Sequence, residues 1–83
     1  MVSKGRREQI RRQYRVWRAA LDLTQEQVEE QARRFYPEFG RGRFWKIENG
    51  TDFPTPSERK ALAKTFRVNE ADLPTIEQLE KAS

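Results

Sequence analysis

Two cations, two apolar residues and a closing Asn-Gly fall within eight positions, Arg43-Phe44-Trp45-Lys46-Ile47-Glu48-Asn49-Gly50. On a short helix, arginine and lysine can donate to phosphate oxygens and to guanine O6 and N7. The spacing predicts that helix over about residues 41–48. Phe44 and Ile47 are three apart and face a core, while Arg41, Gly42, Trp45 and Lys46 look outward. Arg41 and Lys46 lie five residues apart, close enough to meet successive base pairs. Gly40 and Gly42 keep the helix start slim, so that a backbone can approach DNA; the competing reading is plain turn chemistry. Asn49-Gly50 supplies a left-handed C-cap. An outward Trp45 either touches a thymine methyl or sugar, or packs on a neighbouring loop. Packing is favoured, because large aromatics are usually buried.

Other chemistry is scarce. The chain has no cysteine and no histidine, which removes disulfides, the usual zinc ligands, the thiol nucleophile and the commonest general base. Serine occurs only at 3, 57 and 83, with no base beside it. The expectation is therefore no enzyme, no metal and no cofactor. Net charge is +4 and the sequence pI about 9.9, in the range that points to nucleic acid in a small domain. The charge is uneven: net +6 over residues 1–46 and -2 over 47–83. Arginine outnumbers lysine 12 to 5, which suits phosphate and guanine contacts. No apolar run is long enough for a membrane span, and no secretory leader is visible.

The elements that must position these groups are all helical. At 83 residues one domain is expected, with a core at about 8–73 and residues 74–83 as a tail or short helix. Ile10, Tyr14, Trp17 and Leu21 mark one face of a first helix at about 5–20. Arg7, Arg11, Arg15 and Arg18 form a second stripe, either near DNA backbone or simply solvated. Thr24 and Gln27 make a capping box, with Leu23 and Val28 as its staple and Gln25 as the first helical residue. Val28, Ala32 and Phe35 carry that helix's apolar face, and Tyr36-Pro37 ends it. Thr55, Pro56 and Glu58 open a fourth helix that buries Leu62 and Phe66. Val68 and Leu73 bracket Asn69 at the start of a short fifth helix, and residues 75–81 offer a sixth.

In this order the residues resemble the helix-turn-helix domains of phage repressors and Cro proteins, the Xre family. The resemblance runs from about Ile10 to Leu73. It is carried by Trp17-Arg18, Leu21-Asp22-Leu23-Thr24-Gln25-Glu26-Gln27-Val28, Ile47-Glu48-Asn49-Gly50, Leu62-Ala63-Lys64-Thr65-Phe66-Arg67-Val68 and Leu73. It implies a compact bundle of five helices that binds operator DNA, usually as a two-fold dimer, in a bacterial or phage cytoplasm. Gln25 matches a glutamine that touches the DNA backbone and steadies the recognition helix. Arg41, Gly42 and Lys46 match positions that reach bases; Arg43 and Asn49 match positions at or beside phosphates. Arg18 and Glu48 match a buried, structural ion pair.

Two features depart from that family. Gln25 to Glu48 spans 23 residues here, against about 18, so the turn gains about five residues around 36–39. Glu29 also stands where the family prefers a small residue. Both leave the angle between the second and third helices open, and the longer turn invites a new contact through Tyr36 or Phe39. The implied function is a sequence-specific transcriptional regulator that inserts residues 41–48 into the major groove, with a homodimer surface from Val68 to Leu79. The alternatives are a protein-interaction module of the same fold, an antitoxin or a phage factor that binds a host protein, and an architectural DNA-binding protein.

Overall fold

A computed structural model describes residues 4–73. Four α-helices and one 3-10 turn make up the described residues: α1 Lys4–Leu21, α2 Gln25–Phe35, α3 Arg43–Glu48, α4 Pro56–Phe66 and the turn Glu70–Asp72. The expected fifth helix is thus a single turn. Asn69 makes no side-chain cap there, and three residues cannot propagate an α-helix. The expected sixth helix lies outside the described residues.

Local sequence sets the helix ends. Thr24 with Gln27 and Thr55 with Glu58 both form complete capping boxes, so α2 and α4 begin where the polar signals place them. Three helix exits share one geometry. The Leu23 amide donates to the Arg18 carbonyl, Thr51 to Lys46 and Val68 to Ala63, each around a left-handed residue: Asp22, Gly50 or Arg67.

The core draws on all four α-helices. Ile10 and Tyr14 come from α1, Val28 and Ala32 from α2, Phe44 and Ile47 from α3, Leu62 and Phe66 from α4, and Leu73 from beyond the 3-10 turn. Tyr14, Trp17, Phe44 and Phe66 form one aromatic cluster; Tyr14 meets Trp17 and Phe44 edge-on at 5.5 and 5.6 Å. Each such pair adds about 0.5–1.5 kcal/mol beyond simple burial. Burial also pushes the Tyr14 hydroxyl pKa well above its ordinary value, offset in part by the charge of Arg59.

The lengthened turn is part of this core. Phe39 is buried, its amide donates to the Tyr36 carbonyl, and Arg33 Nη1 donates to the Phe39 carbonyl at 3.3 Å. Of the two turn aromatics, Phe39 supplies the new contact, while Tyr36 packs partly buried against the cluster. Phe35 departs from expectation: it is half exposed. With Phe39 folded inward, Phe35 is left at the rim of α2, and Lys64 Nζ sits 5.5 Å from its ring centre. Val68 and Leu73, expected on a dimer surface, pack against the chain's own core. The remainder of that surface, 74–79, lies outside the described residues.

Candidate nucleic-acid interface

The outward face is built from α3 and the turn before it. At six residues, α3 is shorter than the expected 41–48, because Gly42 adopts φ +76° and cannot continue a right-handed helix. Arg41 and Gly42 therefore belong to the turn, both exposed, just before the first helical residue Arg43. Phe44, Ile47 and Glu48 are buried, while Trp45 and Lys46 face solvent. Trp45 is 54% exposed, so the favoured packing against the longer turn does not occur. The turn folds Phe39 inward and leaves that indole uncovered.

Glu48 anchors the C-terminal end of α3. Its Oε1 accepts from Arg18 Nε at 3.0 Å and Nη2 at 2.9 Å, and its Oε2 accepts from Gln25 Nε2. Arg18 Nη1 also donates to the Leu23 carbonyl at 3.2 Å. The carboxylate is thus shared by α1, α2 and α3, and both its oxygens are satisfied. The expected Arg18–Glu48 pair is present, and Gln25 steadies α3 by joining it. Two residues on, the Gly50 amide donates to the Ile47 carbonyl, with Gly50 at φ +73°. A Cβ at Gly50 would meet the Arg7 backbone Cα at 3.2 Å, so glycine suits the tight space as well as the left-handed conformation. Asn49 stays right-handed, leaving Gly50 as the left-handed residue of the pair, and its side chain donates to the Trp45 carbonyl at 2.8 Å.

Glu29 anchors the N-terminal end. Gly42 offers no capping side chain, and the gap is filled from α2: Glu29 Oε1 accepts from the Gly42 amide at 3.1 Å and Oε2 from the Phe44 amide at 2.9 Å. Glu29 is buried, and its charge complements the positive end of the helix dipole. Its signal in the sequence was a carboxylate on α2 together with a helix start, Gly40-Arg41-Gly42, that holds no capping residue.

Arg43 is occupied within the fold. Its Nε and Nη2 donate to the two oxygens of Glu58 at 2.8 and 3.0 Å, its Nη1 pairs with Asp52, and its Nη2 also reaches the Phe53 carbonyl at 2.9 Å. This corrects the picture of a cation free beside a phosphate. The acidic second half of the chain claims Arg43 and leaves Arg41 and Lys46 exposed. The Arg43 hydrogen bond holds the Asp52 carboxyl below its usual value. Burial pushes Glu58 up, but the Arg43 guanidinium and the Thr55 amide outweigh it and leave its carboxyl below the usual range. In the sequence Glu58 stands out only as part of a helix start and Asp52 not at all, since each lies nine or more residues from Arg43.

Arg41, Gly42, Gln25, Glu26 and Arg33 line one open groove between α2 and the turn. Of the seven residues expected at a DNA surface, Arg41, Gly42, Trp45 and Lys46 are exposed; Gln25, Arg43 and Asn49 have side chains engaged inside the fold.

Two helices joined by a turn, the second presenting an outward polar face and an inward apolar one, define a helix-turn-helix domain. A family model described as a helix-turn-helix domain matches residues 9–76, most of the chain, and the chain belongs to that family. DNA binding is what such a domain supports. No curated protein and no solved structure matched the chain. Among the described residues, no helix is long and apolar enough to cross a membrane.

Proposed function

We propose that this protein is a sequence-specific regulator of the Xre/Cro type that reads the DNA major groove with Arg41, Trp45 and Lys46. The carrying observation is the division of α3: Phe44 and Ile47 are locked in the core while Trp45 and Lys46 stand exposed, with Arg41 just before them. A helix fits the major groove, and each good bidentate arginine–guanine pair discriminates by about 1–3 kcal/mol. Trp45 supplies an apolar surface for a thymine methyl. Gln25 acts by steadying Glu48, and Arg43 by fixing α3 to α4. One six-residue helix covers few base pairs, so specificity calls for two copies with reading helices about 34 Å apart on one DNA face.

Selection from a random duplex pool tests this reading, with a symmetric consensus as the expected result. Absence of any enriched sequence contradicts it. On the selected site, Arg41→Ala should cost about 1–3 kcal/mol and relax preference at one base pair, with melting unchanged. Equal loss on every sequence makes Arg41 a phosphate contact.

A second reading, a protein-interaction module, is favoured by the half-exposed Phe35 and Trp45. It requires DNA binding no tighter than charge alone provides, and falling steeply with salt on all sequences alike.

A further inference from the structure

The two amides that Glu29 holds bracket Arg43 and directly follow Arg41. A six-residue helix cannot hold its own geometry, since isolated helices of this length are unstable in water. Its first turn is therefore fixed from outside, and the fixing group is a carboxylate from α2 rather than a neighbour in sequence. Glu29 also lines the groove into which Arg41 opens. While the carboxylate occupies the Gly42 and Phe44 amides, a DNA phosphate cannot use them. The backbone that carries Arg41 is then tied to α2 at the very next residue.

We propose that Glu29 is a positioning residue for base recognition: it sets which base pair Arg41 reads and how strictly, without touching DNA itself. This assignment rests on the DNA-reading function proposed above. The ligand class it implies is a duplex with a guanine at the Arg41 position, because a guanidinium held in place can donate to O6 and N7 together. The residue at 29 and the longer turn then belong to one device. Phe39 pins the turn in the core, and Glu29 pins its far end to α2.

The test compares base preference at every position of the selected site for the wild type, Glu29→Gln and Glu29→Ala. Glu29→Gln keeps one acceptor oxygen and sets a donor against the other amide. The expected order of discrimination at the Arg41 base pair is wild type, then Gln, then Ala, with the Ala variant losing roughly tenfold. Preference at the Lys46 base pair and the salt slope should stay unchanged. Hydrogen exchange should quicken at the Gly42 and Phe44 amides in the same order, while α2 and α4 amides stay protected.

Should Glu29→Ala not fold, the Gln variant alone decides. Folded variants with wild-type preference at the Arg41 base pair overturn the assignment. So does an equal loss at all positions, which would make Glu29 a support of the fold alone. A wild-type protein that selects no sequence overturns the DNA-reading function itself, and this assignment with it.

Discussion

At its C-terminal end, α3 is closed by its own last residue, Glu48, and by the two that follow, Asn49 and Gly50. At its N-terminal end it is closed by Glu29, thirteen to fifteen residues upstream on another helix. Both ends use a buried glutamate, but for different tasks. Glu48 balances a cation and joins three helices, whereas Glu29 satisfies bare backbone amides. The C-terminal end is thus defined by charge pairing and by space, and the N-terminal end by a cap borrowed across the turn. A sequence with a short recognition helix and no cap of its own must find one elsewhere in the fold.

The largest expected effect comes from breaking the C-terminal anchor. Arg18→Ala strands Glu48 in the interior with only Gln25 left as partner, a loss of about 3 kcal/mol. Calorimetry should show a melting temperature lower by at least roughly 10 °C. Unchanged melting would remove Glu48 from the account of that end.

Gly50→Ala comes next. It forces a Cβ into left-handed backbone and against the Arg7 Cα. The conformation alone costs about 1–2 kcal/mol, so a loss of about 2 kcal/mol in denaturant unfolding is expected. A loss of only about 1 kcal/mol would mean that α1 moves aside and the backbone conformation alone is felt.

A third effect, read in the pH dependence of stability, falls at Arg43, the first residue of α3. Asp52 and Glu58 both have lowered carboxyl pKa values, so the stability they contribute with Arg43 is present above the usual carboxylate range. It is lost as pH falls through their lowered values. Arg43→Ala should therefore flatten the acid limb of stability against pH and leave its shape above about pH 6 unchanged. An acid limb identical to the wild type would free Arg43 from these pairs.

The same contrast explains what the sequence disclosed. Capping boxes, the Asn49-Gly50 stop and the Arg18–Glu48 pair are short-range or strongly typed signals, and each appears where it was expected. Four features were not legible. Gly42 reads as a slim helix start until its positive φ shows that it ends the turn instead. Phe35 satisfies the apolar spacing of α2, yet Phe39 takes the buried role, because a folded turn can replace a helix residue in the core. Val68 and Leu73 read as unpartnered until the core is assembled around them. Arg43 matches a contact position by its place in the motif, but its carboxylate partners come from α4 and the segment before it. In each case the deciding contact lies between segments whose relative placement no local pattern encodes.

The proposed DNA surface is the outward side of α3 and the turn before it. Titrating the selected duplex into isotope-labelled protein tests it most directly, by following backbone amides and the Trp45 indole N–H. Chemical-shift changes should concentrate at Arg41, Gly42, Trp45 and Lys46, with smaller changes at Gln25 and none on the Phe35–Lys64 rim. Changes centred on that rim or on the outer face of α1, with Trp45 and Lys46 unmoved, would contradict it.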